Sequence, residues 1–179
     1  MGAWSELDTT IKAEFNFNDL DELINLPDDI GIYAPLKEAA KQMKKQFQDG
    51  AKRGVDEIAK RNISFQEKWI NKNCKNPSGM LASSIGMTGS DYSITTGTRI
   101  SHIYPMSVEY GADIYPVRAK ALRFPAPKGW KGKVSKDGFV FLKEAHPKPH
   151  PFVKPAYDDT NKIAEKLMML EINHAGAKY

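Results

Sequence analysis

The chain has 179 residues, 41% of them hydrophobic and 27% charged, which suits one soluble globular domain with a single core. No stretch approaches the roughly 20 consecutive apolar residues of a membrane-spanning helix, and no basic start precedes an apolar run as in a secretory signal. A soluble, unexported protein made in the cytoplasm is therefore expected. The 26 basic residues are interspersed with 22 acidic ones, and the formal net charge of +4 is too mild to identify a nucleic-acid reader by itself.

Residues 1–34 read as an acidic arm. Leu20, Leu23, Ile24 and Leu26 form a short apolar cluster behind Asn18, a residue suited to capping a helix, and ahead of Pro27. Asp19, Asp21, Glu22, Asp28 and Asp29 make this the most acidic part of the chain. So short an amphipathic helix needs something to dock against.

Residues 35–175 read as one α+β domain. Leu36, Ala40, Met43, Phe47, Ala51, Gly54 and Ile58 recur at steps of four and three, which aligns them on one face of a long helix. Pro35 suits its first position, and Lys37, Lys41, Lys44, Lys45, Lys52 and Arg53 fall mostly off the apolar stripe. Gly50 and Gly54 each weaken a helix by about 1 kcal/mol relative to alanine, so a bend or close packing against a neighbour is expected there. The helix continues, or restarts, through Phe65, Trp69 and Ile70, and Asn76, Pro77, Ser78 and Gly79 end it.

Beyond Gly79 the period shortens towards two. Leu81, Ser83, Ile85 and Met87 form one alternating set and Tyr92, Ile94 and Thr96 another, with a turn over Thr88, Gly89, Ser90 and Asp91. A compact helical turn follows over residues 104–111, closed by Gly111 in a left-handed conformation. Residues 121–125 and 138–143 read as a second, long hairpin whose tip holds Pro127, Gly129, Trp130 and Gly132. Pro147, Pro149, Pro151 and Pro155 enforce an extended run into a last helix carrying Ala156, Thr160, Ile163, Leu167 and Leu170. The expected architecture is a long N-terminal amphipathic helix and a C-terminal helix packed on one face of an antiparallel sheet, with a long protruding hairpin. There is no internal repeat.

Three local patterns, in this order, carry a resemblance. The first is Ser78, Gly79, Leu81, Ser84 and Ile85; the second is Tyr104, Val108, Glu109, Tyr110 and Gly111; the third is Pro151, Phe152, Pro155 and Ala156. Together they resemble the tail-component family found among the neck genes of long-tailed, lambda-like bacteriophages, with its small-Gly-x-Leu-x-x-Ser-Ile, aromatic-x-x-x-Val-Glu-aromatic-Gly and Pro-Phe-x-x-Pro-Ala motifs. The resemblance covers roughly residues 35–170. Ala112 stands where the family commonly has threonine, residues 113–138 look longer than usual, and the acidic arm lies outside the pattern.

The resemblance implies a structural subunit of the virion neck that completes the tail end and joins it to the head connector. It implies a closed homo-oligomeric ring, taken as six copies, beside head-connector (stopper) and tail-tube proteins. Genomic DNA would pass through the assembly, which forms in the host cytoplasm without cofactor, catalysis or membrane. Read physically, the motifs are architectural: Phe152 plugs a core, the prolines fix the entry of the last helix, and Gly79 or Gly111 supplies backbone angles other residues disfavour. Glu109 has two readings, an ion pair with a basic residue of a neighbouring subunit or a solvated or internally paired carboxylate.

Candidate chemistry elsewhere is weak. His146 and His150 bracket two prolines that prevent the helix on which an i, i+4 pair binds metal, so a structural or surface role is favoured. Cys74 is the single cysteine and cannot form an internal disulfide. It has no nearby CxxC or histidine cluster, and no GxSxG, catalytic-cysteine, phosphate-loop or dinucleotide fingerprint occurs. The most distinctive charge cluster is the hairpin tip, where Lys128, Lys131, Lys133 and Lys136 surround Trp130 with only Asp137 opposing them. Three readings stay open there: a solvated tip with Trp130 folded back, a protein contact anchored by Trp130, and lysines on DNA phosphates. Met168, Met169 and Leu170 cannot all face one core, so one of them either meets a neighbour or stays partly exposed on a monomer. The rival to a virion subunit is a small basic nucleic-acid-binding protein using the lysine-rich first helix and the tip.

Overall fold

The computed structural model of the chain describes residues 7–26, 33–74, 79–100, 103–126 and 129–177. A short strand, β1 (Thr9–Lys12), and a two-turn helix, α1 (Asn18–Ile24), precede the 40-residue α2 (Ala34–Asn73). A single helical turn, α3 (Met80–Ser83), leads into a hairpin of β2 (Ile85–Ser90) and β3 (Ser93–Thr98). Then come α4 (Ile103–Tyr110), a second hairpin of β4 (Leu122–Pro125) and β5 (Phe139–Leu142), and α5 (Val153–Gly176). The fold is mixed α+β: α2 and α5 pack on a small antiparallel sheet of order β1-β3-β2, while β4 and β5 form a separate two-stranded sheet.

The two long helices run antiparallel. Gly50 lies against the backbone of Ile172, Gly54 against Met168, and Asn62 against Thr160, so one register holds along the pair. The two glycines therefore mark close packing, one of the two outcomes their positions predicted. A Cβ on Gly50 would sit 2.6 Å from the Ile172 Cα, whereas one on Gly54 would meet the Met168 sulfur at 2.5 Å. Arg53 with Glu171 and the Trp69 indole N–H donating to Asp159 (3.1 Å) tie the helices at their margins.

Along the face that α2 turns to the sheet, two apolar clusters are separated by a polar layer. Val55, Ala59 and Ile94 form one cluster with Met168, and Ile70, Leu81, Phe152, Val153 and Leu7 form the other. Between them lie Asn62, Gln66, Thr96 and Thr160, all buried. The Asn62 amide donates to the Thr160 hydroxyl (2.9 Å), and the Asn62 carbonyl accepts from Gln66 (2.7 Å) and from Thr96 (2.7 Å). This network joins α2, α5 and β3, and Thr96 also reaches the Thr9 carbonyl on β1 at 3.3 Å.

Three expectations change. The segment read as an arm supplies β1, which pairs with β3 in the register Thr9↔Thr96, because Thr9 and Ile11 turn one side of the strand inward. The alternation that seemed to begin at Leu81 starts at Ile85 instead. The Ser83 hydroxyl bonds the Met80 carbonyl and the Ser84 hydroxyl the Leu81 carbonyl (2.7 Å), side-chain bonds that hold residues 80–84 in a turn. The connection between β2 and β3 accordingly shifts to Asp91 and Tyr92, with Asp91 at φ 53°. Finally, Leu36, Met43 and Phe47 do not enter the core. Gly176 near the end of α5 stands opposite Gln46, so the first 12 residues of α2, about 18 Å, which include Leu36 and Met43, extend beyond their partner; Phe47 lies just inside the paired stretch and turns away from it. There α1 packs on one side of α2, fastened by Asp21 to Lys44, with Lys44 over the Phe17 ring. Pro27, Asp28, Asp29, Asn76, Pro77 and Ser78 lie outside the described residues.

Helix propensity alone favours alanine over glycine by about 1 kcal/mol. Gly50→Ala should nevertheless destabilise the protein by about 1–3 kcal/mol in urea unfolding, because the backbone of α5 must move. Gly54→Ala should cost less, since Met168 can turn aside; equal costs would show that the helices are not in this register.

Candidate functional site

The three resemblance motifs meet at the start of α5. Glu109, in the last turn of α4, is only 5% exposed. One carboxylate oxygen accepts the backbone N–H of Phe152 (2.6 Å) and of Val153 (3.0 Å), and the other accepts that of Lys154 (3.3 Å). A helix start leaves its first N–H groups without partners inside the helix. Here Pro155 has none to satisfy, and the Ala156 N–H reaches the Phe152 carbonyl at 3.3 Å. Every donor of the first turn is thus matched, and the carboxylate sits at the positive end of the α5 dipole. The expectation that Glu109 serves a neighbouring subunit gives way to this internal cap, the second of its two readings.

Around the cap the other motif residues divide. Leu81 and Phe152 are fully buried in one cluster, with Val108 and Ile85 packed against it. Gly79 opens α3 at φ 64°. Gly111 has φ 79°, and a Cβ there would approach the Pro147 carbonyl oxygen to 2.9 Å, so glycine meets both a backbone and a space requirement. The proline run crosses this turn in extended form. Ile114 and Ala145 exchange backbone bonds (2.9 and 3.0 Å), the His150 N–H donates to the Val108 carbonyl (2.7 Å), and the Asn73 amide donates to the Pro151 carbonyl (3.1 Å). Pro155 lies within the first turn of α5, and Tyr104 stays exposed beside a shallow apolar groove with Val108, Ile114 and Pro147.

The second hairpin stands apart. Its strands pair Leu122↔Leu142 through Pro125↔Phe139, and Trp130 packs edge-on against Phe124 with ring centroids 6.1 Å apart. Trp130 is folded back on the hairpin yet remains 38% exposed. Lys131, Lys133 and Lys136 are exposed, and none forms an ion pair with a described residue. Lys128 lies outside the described residues. Beneath Trp130 an apolar groove of about 650 Å³ runs between Leu122, Phe124, Leu142, Ile114 and Pro147.

The other candidates are not gathered into one site. The His146 Nδ1 bonds Asp113 (2.6 Å), its Nε2 lies 3.6 Å from Glu144, and His150 is held through its backbone. Among the described residues no group of three or more His, Cys, Asp or Glu is placed to hold a metal ion. Burial, and then the charge of Glu109, push the Cys74 thiol above its ordinary pKa, opposite to the shift that activates a nucleophile. Met168 fills the core against Gly54, leaving Met169 and Leu170 exposed. The buried amide layer was missed in the sequence because Asn62 and Gln66 interrupt an apolar stripe; their helical spacing with Val55, Ala59 and Ile70 was the available signal.

Compared with known proteins, the chain matches no family model, no curated protein and no solved structure.

Removing the cap with Glu109→Ala leaves three donors unmatched and should cost about 3 kcal/mol or more in urea unfolding. Glu109→Gln keeps one accepting oxygen and should cost less; equal midpoints for all three proteins would show that the carboxylate is incidental. The Asp113 hydrogen bond, aided by Glu144, raises the pKa of His146 above 6.5. This exposed pair's stabilisation is full below about pH 6.5 and is lost as pH rises through the raised pKa. NMR titration should give a midpoint above 6.5 that falls in Asp113→Asn; an unchanged midpoint would show that the pair does not form.

Proposed function

We propose that this chain is a non-enzymatic structural subunit of a tailed-phage neck, completing the tail end and joining it to the head connector through protein contacts. The observation that carries the reading is the use of the resemblance motifs. Leu81, Val108, Glu109, Gly111 and Phe152 are invested in one cap and one core, where a family signature without catalytic content belongs. The working surfaces would then lie outside the motifs, on the hairpin and on the overhanging end of α2. In this reading the chain assembles as a ring, taken as six copies, in the host cytoplasm and ends in the virion between connector and tail tube, with the genome passing through. Closed rings are the common outcome of head-to-tail contacts whose rotation closes.

One observation favours a second reading. Lys131, Lys133 and Lys136 stand exposed beside a partly exposed tryptophan, an arrangement that also suits phosphates and bases. Light scattering across a concentration series, repeated with short duplex DNA at two salt concentrations, separates them. The neck reading expects a discrete multimer whose mass is indifferent to DNA. A monomer whose DNA affinity falls steeply with salt would replace it with the nucleic-acid-binding reading.

A further inference from the structure

The second hairpin is a two-stranded sheet with apolar side chains on both faces. Leu122, Phe124, Val140 and Leu142 share one face, while Phe139 and Phe141 share the other, where Arg123 stacks on Phe139 at 3.9 Å. Phe141 remains 55% exposed. An isolated two-stranded hairpin is marginal in water, and one with an open apolar groove gains most from a covering partner.

Charge indicates what covers it. Residues 113–146 contain eight lysines and arginines against three acidic residues, whereas residues 1–34 contain eight acidic residues against one lysine. The chain thus carries a basic hairpin and an acidic arm of opposite local sign. The arm also has the matching shape. On α1, Leu20 and Ile24 are half-buried on the side that packs on α2, and Asp19, Glu22 and Leu23, three and four residues apart, are exposed. That outward face is one leucine beside two carboxylates. The groove is apolar, with Trp130 at its edge and Lys131, Lys133 and Lys136 on the same tip. Glu144 on its wall lies 3.6 Å from His146, which also bonds Asp113, so the basic charge beside the groove is that of the tip lysines.

These two surfaces stand far apart within one chain. The α1 helix is fastened at Lys44 of α2, while the proline strap beside the groove is fastened at Asn73, about 44 Å further along the helix. We infer that the occupant of the hairpin groove is the α1 face of a second copy, Leu23 entering beside Trp130 while Asp19 and Glu22 meet the tip lysines. The contact joins different surfaces of the two copies, so each copy keeps one free groove and one free α1, and the arrangement propagates until it closes. It rests on the assembly reading only in taking the chain to associate with itself, and it names the faces that meet.

Two charge-reversed forms of the full chain test it: one carrying Lys131→Glu, Lys133→Glu and Lys136→Glu, the other Asp19→Lys and Glu22→Lys. All five positions are exposed or on the outer face of α1, and unchanged thermal unfolding checks that each form still folds. In light scattering at low salt and up to millimolar concentration, the wild type is expected to gain mass with concentration. Each reversed form alone should remain monomeric, and an equimolar mixture should regain the wild-type mass, since acidic arm then meets lysine tip and lysine arm meets glutamate tip. Reversed forms that assemble as well as the wild type would overturn this interface while leaving the assembly reading standing. A wild type that stays monomeric throughout would also overturn it. If that monomer binds duplex DNA in a way the three tip changes abolish, the tip is a phosphate surface and the assembly reading falls with the interface.

Discussion

Glu109 is the point from which the rest of the structure hangs. Its carboxylate holds the first turn of α5, and α5 in turn covers α2 along most of its length. A buried anion is costly unless its hydrogen bonds are complete. Three backbone N–H groups and the helix dipole supply that completion here, so the charge is tolerated because the helix begins where it does. The same arrangement places Phe152 beside Leu81 and Ile70 and leaves the proline strap to run across Gly111. Moving α4 by one residue would rotate the carboxylate away from α5 and leave three donors unmatched.

Where α5 lies along α2 is governed by a second constraint, the polar layer of Asn62, Gln66, Thr96 and Thr160. Apolar clusters above and below it tolerate small slippage, since one hydrocarbon contact substitutes for another. Buried amides and hydroxyls do not, because a shifted register leaves them without partners in a low-dielectric interior. The Gly50 contact with Ile172 acts in the same direction from the other end, fixing how near the helices approach. Cap, amide layer and glycine contact are spaced along one helix pair and agree on one register, although the Gln66 Oε1 within the layer is buried without a hydrogen-bond partner among the described residues.

This explains which parts were legible in the sequence. The long helix, the Gly111 turn, the second hairpin and the proline entry to α5 were readable because periodicity, prolines and glycines act locally. The first strand was not: a four-residue segment with Thr9 and Ile11 on one side gives almost no alternation to read, and its pairing with β3 spans 87 residues from Thr9 to Thr96. The exposure of Leu36 and Met43 was equally hidden, since burial there depends on where α5 ends. For Glu109 the sequence offered an internal pairing among its alternatives but could not name the partners, which are backbone groups more than 40 residues away. Of the hairpin, the clustered lysines and Trp130 were visible, but the groove beneath them arises from strand pairing and the Ile114 to Ala145 bridge.

A division of labour follows. Leu81, Ser84, Glu109, Phe152 and Ala156 are buried around the cap, so they stabilise the fold and offer no surface for recognition, whereas Tyr104, Tyr110 and Pro151 beside them stay exposed. The second hairpin and the acidic N-terminal segment leave further apolar and charged surface open. A subunit whose core is settled can vary its extensions at small cost to stability, because exposed substitutions away from caps and cores usually change it little. In the proposed contact, opposite charge on the two faces would also discriminate among orientations, since a copy approaching hairpin to hairpin would meet like charge.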